Sequence, residues 1–319
     1  MSASGDGHAS GPMQTVRIAT RRSLLAQAQG RLVGDALLVA HPQLTVEFVT
    51  FVIAGDRRPG HLSSVGGKGL FTGELTEALR DGRVHIAVHS AKDLPAEMDA
   101  EFTIAAAPPR ADPRDAIVSR EGWSLAELPA GATVGTSSLR RRAQLLAVRG
   151  DLKVMPIRGN LATRIGRAID HGQAHRVDAV VVAMAGLLRS GLADSHRKHI
   201  APLPLAQMVP AAGQGTLAIQ TLTADMKNVE LLSAVNEESA LAALYAERRV
   251  VAGLAAGCGS CLAVHVADDD GKWHGLAMAA RPNGGDAVRV STASGAAELA
   301  GEQLLGQLLT CGADQLLRH

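Results

Sequence analysis

The sequence predicts an α/β protein in which two hinged α/β units are followed by a small α+β C-terminal domain. Three observations predict it. Short β-branched runs alternate with helical stretches, and the series occurs twice. Proline-rich segments around Pro108, Pro109 and Pro113, and again around Pro202, Pro204 and Pro210, punctuate the alternation. From about Leu231 the pattern changes to a long helical run and then to a short strand-and-helix module. A chain of 319 residues holds two or three domains with real cores. A repeated β-α-β series implies a mainly parallel sheet covered by helices.

The first strand spans residues 16–20 (VRIAT), and a helix runs from Ser23 to Val39. Residues 46–53 form a second strand, rich in β-branched and aromatic side chains. A helix over 72–79 places Leu75, Ala78 and Leu79 on one face, with Asp81-Gly82 as its stop. Residues 84–89 form the next strand, which ends abruptly at Ser90-Ala91-Lys92-Asp93-Leu94-Pro95. The second unit repeats the plan. Residues 132–134 lead into Gly135-Thr136-Ser137-Ser138 and a helix from Leu139. Residues 154–157 lead into Arg158-Gly159-Asn160 and a helix with Leu161, Ile165 and Ala168 on one side. Residues 178–183 form a third buried strand. Ligands in open α/β sheets sit at the carboxyl ends of the strands, so two hinged units imply a cleft between them. A helical run from Leu231 through Glu247 opens the last domain.

Composition narrows the function classes. Net charge is +1, so nothing calls for nucleic acid or an anionic membrane. Four Phe, two Trp and one Tyr make an aromatic platform for bases improbable. Of the 32 basic residues 26 are Arg, which favours two-pronged contacts with carboxylates over general attraction. The first residues, MSASGDGHASGPMQ, read as a disordered tail rather than a signal peptide. The longest apolar run, residues 179–188, is about half of the ~20 residues a membrane span needs. Three cysteines argue against a disulfide framework. The expectation is a cytoplasmic protein.

Several segments carry chemistry. Gly135-Thr136-Ser137-Ser138 offers hydroxyls and free N–H groups at a helix start, where negative charge is favoured. Arg140 and Arg141 stand in its first turn, and Arg158 and Arg164 follow a strand end and a helix start. In a cleft these groups bind several carboxylates or phosphates at once; the same pattern also suits a solvated basic helix face. Val65-Gly66-Gly67-Lys68-Gly69-Leu70-Phe71 lacks the Gly and the Ser/Thr of a phosphate loop and reads as a lid or a surface loop carrying Lys68 and Phe71. Asp93 leaves a buried strand directly and suits acid–base work or stabilisation of a cation, although Asp is also a common turn residue. Cys258 and Cys261 share C-x-x-C spacing, yet no second cysteine pair or histidine cluster accompanies them, so no metal is expected. A strand-like LAVHV follows Cys261 where a redox motif would open a helix, which leaves a core thiol or an exposed attachment point.

Taken in order, RIATRRSLLAQAQ, VGGKGLF, AVHSAKDLP, DPRDA, VGTSSLRRRAQL, IRGNLATR, AGLLRSG, PAAGQG and AGC resemble the porphobilinogen deaminase (hydroxymethylbilane synthase) family from about Val16 to the C-terminus. The resemblance implies two periplasmic-binding-protein-like domains, residues 13–108 with 210–232 and residues 109–209. A third domain, residues 233–319, carries the cofactor cysteine, and residues 1–12 are tail. It implies a dipyrromethane cofactor on Cys258, and four porphobilinogen molecules condensed onto it head to tail with loss of ammonia. Hydrolysis then releases the linear tetrapyrrole. Asp93 matches the catalytic carboxylate. Lys92, Asp93, Thr136, Ser138, Arg140, Arg141, Arg158 and Gly159 match the cofactor-binding set. Arg21, Ser23, Lys68, Phe71, Arg164 and Arg189 match substrate-binding positions. A monomer without nucleic-acid or membrane partners is implied.

The sequence departs from the family pattern at Cys261, where proline is usual, at Ser64, where some members have lysine, and at Gly60, where aspartate is often found. The rival expectation is a non-catalytic, two-lobed binding protein for a polycarboxylate anion. It explains the arginines and leaves Asp93 and Cys258 without a role.

Overall fold

A computed structural model describes residues 15–52, 73–170, 172, 176–257 and 259–318. Lys68, Phe71, Cys258 and the N-terminal tail lie outside the described residues. In the first lobe the chain runs β1 (Thr15–Arg21), α1 (Leu24–Ala40), β2 (Thr45–Phe51), α2 (Gly73–Arg80), β3 (Ile86–Ser90) and β4 (Phe102–Ala106). It then crosses to the second lobe: β5 (Asp115–Ser119), β6 (Thr133–Gly135), α3 (Leu139–Val148), β7 (Lys153–Met155), α4 (Leu161–Ile169), β8 (Ala179–Ala183), α5 (Met184–Arg189), α6 (Leu192–Ser195) and β9 (Ile200–Pro202). A return crossing delivers β10 (Leu217–Leu222) to the first lobe, followed by α7 (Met226–Ser233) and α8 (Glu238–Gly253). The last unit is β11 (Leu262–Asp269), β12 (Lys272–Ala280), β13 (Ala287–Ser294), α9 (Ala297–Thr310) and α10 (Ala313–Leu317).

The two lobes share one strand plan. The first sheet has the order β2-β1-β3-β10-β4 and the second β7-β6-β8-β5-β9. In each, the fourth strand alone runs against its neighbours: β10 pairs antiparallel with β3 and β4, and β5 with β8 and β9. The mainly parallel expectation holds, and the reversed strands adjoin the crossings, so the chain changes lobes through them. The strands β4, β5, β9 and β10 add to those expected from the sequence. Residues 113–115 of DPRDA, placed in the crossing by their proline, lead straight into a fully buried strand.

Local signals explain the helix starts. Ser23 caps α1 and accepts from Ala26 N at 3.3 Å. Ser138 caps α3, and Asn160 caps α4 by accepting from Thr163 N at 2.9 Å. The first core joins Val16, Ile18, Val33, Leu37, Ile86 and Ile219, interleaving α1 with β1, β3 and β10. Ile117, Val134, Leu145 and Val181 do the same in the second lobe. The long helical run expected from Leu231 is two helices, α7 and α8, broken between residues 233 and 238, where Glu237 N donates to the Ala107 carbonyl at 2.8 Å.

One carboxylate joins both crossings to the last unit. Glu247, on α8, is fully buried. It accepts from Arg110 Nη1 at 2.7 Å in the outgoing crossing, from Gly213 N at 2.5 Å in the return crossing and from Val266 N at 2.8 Å in β11. Burial alone would raise its pKa; Arg110 and the neighbouring His265 reverse this and hold it below the usual value.

Candidate active site

The β3 strand is buried from Ile86 to His89 and ends in a 3-10 turn, Ala91–Asp93. Ala91 N donates to the Thr216 carbonyl at 3.0 Å, which pins the turn to the segment leading into β10. The Asp93 side chain is 41% exposed, and Arg21 Nη1 stands 3.8 Å from its Oδ2. Arg21 ends β1, the parallel neighbour of β3, so both side chains leave the sheet at carboxyl strand ends. Ser23, Gln29, His89 and Ser90 join them around a shallow recess. Gln29 Nε2 donates to Ser90 Oγ at 3.0 Å beneath it. Burial pushes His89 down to about 4, and Arg21 adds to the effect, so its ring is neutral near pH 7; Nε2 lies 3.0 Å from Gln220 Oε1.

Across from this corner lies Asp115, the first residue of β5 and fully buried. Arg140 Nη2 donates to its Oδ2 at 2.8 Å, and Arg141 Nη2 and Nε to its Oδ1 at 2.7 and 3.1 Å. Arg140 also donates to the Val209 carbonyl and Arg141 to that of Val181, at 2.6 and 2.8 Å. Burial acts to raise the Asp115 pKa, and the two guanidiniums overcome it, holding the carboxyl well below the usual carboxylate range. The sequence places Arg140 and Arg141 in the cleft; the structure buries both, at 4% and 7% exposure, against a protein carboxylate. Two cations on one anion leave the cluster net positive, so it attracts further negative charge.

Lys92, Thr136, Ser138, Arg164 and Arg189 connect to this cluster through hydrogen bonds or charge, whereas Arg158 and Gly159 follow β7. Lys92 is half-buried, and burial followed by Arg141 pushes it down to about 8. Thr136 is buried and accepts from Ser138 N at 3.2 Å, while Ser138 accepts from Arg141 N at 3.4 Å, so the hydroxyls and the first turn of α3 are one unit. Arg158 is exposed beyond β7. Gly159 has φ +110, and a Cβ there would lie 2.8 Å from Thr163 Cγ2. Arg164 donates from Nε to the Gly159 carbonyl at 2.9 Å; burial, then Arg141, lowers its pKa. Arg189, pushed down to about 10 by burial, donates to the Gly215 carbonyl at 2.6 Å and remains a cation. Among the described residues no metal-ligating cluster occurs. Cys261 is fully buried, and burial pushes its thiol up to about 11, which leaves it a poor nucleophile.

Four side chains at or beneath the site carry little local sequence signal for their roles: Asp115 within DPRDA, Gln214 within PAAGQG, Gln29 and Glu247. An acidic residue heading the otherwise apolar run AIV is the available signal for Asp115. A groove of about 600 Å³ lies elsewhere, beside Tyr245, Arg248 and the start of α9, and none of the site residues line it.

Residues 16–230 match the family model described as porphobilinogen deaminase, dipyromethane cofactor binding domain. The chain belongs to the porphobilinogen deaminase family. A porphobilinogen deaminase of Mycobacterium marinum is 42% identical over 314 residues, covering 95% of this chain and 96% of that one. Those of Roseiflexus sp. and Mycobacterium tuberculosis are 46% identical over 248 residues and 41% over 313, covering 77% and 95% of this chain and 79% and 98% of theirs. Among solved structures the Methionine Binding Protein, MetQ, aligns over 73% of this chain and 96% of its own at 16% identity, with a TM-score of 0.40. That likeness is too distant to carry an argument; the two-lobed plan rests on the strand orders themselves. Among the described residues no helix is long and apolar enough to cross a membrane.

Proposed function

We propose that this member of the porphobilinogen deaminase family is a transferase of tetrapyrrole and heme biosynthesis that condenses four porphobilinogen molecules head to tail. Each addition breaks a carbon–nitrogen bond, releases ammonia and forms a carbon–carbon bond with loss of a pyrrole proton; hydrolysis then yields hydroxymethylbilane. The observation that carries the reading is Asp93, a solvent-accessible carboxylate at a strand end, facing Arg21 and a cluster rich in fixed cations.

The donor set fits a dipyrromethane, whose acetate and propionate groups carry four negative charges. Lys92, Arg140, Arg141 and Arg158, with Thr136, Ser138 and Gly159, would hold it, and Cys258 would carry the thioether. When bound, the dipyrromethane supplies the pyrrole carbon that attacks the incoming substrate. Arg21, Ser23, Arg164 and Arg189 orient the substrate carboxylates, together with Lys68 and Phe71. The Asp93 carboxylate accepts from pyrrole N–H groups and stabilises the positive charge that the substrate gains as ammonia departs. The inert Cys261 thiol supports Cys258 as the attachment point. Cys261 and Cys311 are free thiols, which suits a reducing cytoplasm, and the reading extends to a monomer there.

Intact mass of the purified chain tests the reading. The expected result is an excess of two pyrrole units, mapped to the peptide of Cys258, with further increments after porphobilinogen is added. Turnover by a chain with unmodified Cys258 sinks it. Asp93→Ala is expected to keep the two-pyrrole excess and to lose turnover by ~100-fold or more; retained turnover removes Asp93 from the chemistry.

A further inference from the structure

The PAAGQG segment has no part in the reading above, yet the site converges on it. Gly213 has φ +72, and a Cβ there would lie 3.0 Å from Lys92 N and from the Ala91 carbonyl carbon. Gly215 has φ +90, and a Cβ there would lie 2.4 Å from the Ala111 carbonyl oxygen. The return crossing is therefore pressed against the Asp93 turn on one side of Gln214 and against the outgoing crossing on the other. Between these glycines Gln214 is 1% exposed. Its Oε1 accepts from Lys92 Nζ at 3.4 Å, the long end of a hydrogen bond. Its Nε2 donates to Asp115 Oδ1 at 2.9 Å and to the Pro113 carbonyl at 2.8 Å. Its own carbonyl accepts from Arg110 Nε at 2.9 Å, and the next carbonyl, of Gly215, holds Arg189.

We propose that Gln214 is a positioning residue for the condensation, one that sets the Lys92–Asp93 turn of the first lobe against the Asp115–Arg140–Arg141 cluster of the second. A glutamine suits this place because one planar amide both accepts from a cation and donates to an anion. Neither end has to lose charge. A carboxylate here would oppose Asp115, and an apolar side chain would leave Lys92 and Asp115 each short of a buried partner. The lobes also touch where α1 meets α5, but Gln214 joins them through its two ends beside the site, so the spacing between Asp93 and the arginines is referred to one side chain.

The proposal rests on the porphobilinogen deaminase reading for its consequence in turnover, but its central test does not use activity. The groups facing Lys92 Nζ are Asp93 in its own turn, Asp115 on β5 and Arg140 and Arg141 on α3. The pH dependence of Lys92 acetylation by limiting acetic anhydride, read by peptide mass spectrometry on the full chain, reports its ionisation. In Gln214→Met the midpoint is expected to fall by ~0.5 pH unit or more, because an acceptor of the ammonium is lost. In Gln214→Glu it is expected to rise, because the acceptor returns as an anion. Opposite shifts are not what a loosened fold produces. Both variants are expected to lose kcat/KM for porphobilinogen by ~10-fold or more, since each breaks the bond to Asp115 or sets charge against it. Midpoints that stay at the wild-type value, or that move in the same direction, overturn the proposal. So does full kcat/KM in Gln214→Met. If Gln214→Met lacks a cooperative thermal transition, Gln214→Glu decides alone, and an unchanged or lowered midpoint there is the adverse result. If the variants show the expected labelling shifts while the wild-type chain does not consume porphobilinogen, the functional reading fails and the placement of Lys92 against Asp115 by Gln214 stands.

Discussion

A carboxylate at the end of a buried strand is accessible only if the chain turns away from it. At Asp93 the 3-10 turn and the Leu94 N to Ala91 carbonyl bond of 3.2 Å do this within a few residues. Directly beneath, His89 stays neutral because burial, helped by Arg21, outweighs the support of its Gln220 hydrogen bond for a positive charge. Its folded value of about 4 lies below the ordinary 6.5, so the unfolded chain binds the extra proton first. Stability from this residue is complete above pH 6.5 and is lost as pH falls toward 4, a change of about 3 kcal/mol. Urea unfolding of His89→Gln is expected to show a flatter decline than wild type over that range; parallel declines in the two proteins refute the assignment. The residues that sequence reading found, Ser23, Ser138 and Asp93, act on neighbours within three positions or stand at a strand end. Asp115 and Gln214 carry no such local signal because their partners are remote: Asp115 meets Arg141 26 positions away, and Gln214 meets Lys92 122 positions away. No periodicity encodes such meetings.

Among the elements, α8 joins the two crossings to the last unit. Its Glu247 side chain, and not its apolar face alone, ties the crossings to β11. Glu247→Leu removes one member of a buried pair and strips acceptors from Gly213 N and Val266 N. The expected loss is about 3–5 kcal/mol in denaturant unfolding, with no change in the cofactor mass excess of the protein that folds. A loss under about 1 kcal/mol would show that the α8 packing alone holds the crossings. Strands and helices with strong patterns, such as β1, β3, β8 and α1, were legible because one period describes each. The strands β4 and β10 were not. They adjoin the proline-rich segments, and punctuation by proline obscures a short buried run of five or six residues.

For the whole molecule, two lobes of equal strand order, bridged twice and braced by a third unit, suit a ligand that lengthens during turnover. Arg21, Lys92 and Asp93 belong to the first lobe and Asp115, Arg140, Arg141 and Arg164 to the second, so the site exists only in the assembled chain. The plan also has a consequence for synthesis. The second sheet is drawn from residues 115–202 without interruption, whereas the first places β10 between β3 and β4, and among the described residues β4 pairs with no other strand. A ribosome that has released β1 to β4 has released a sheet with its fourth place empty, and it must translate the whole second lobe before that place is filled. Pulse-labelled amide exchange during refolding is expected to protect β8 and β5 before β3 and β10; simultaneous protection would refute that order. During translation the edge of β3 therefore stays open for more than a hundred residues of growth, and that interval is when a nascent chain is most in need of a chaperone.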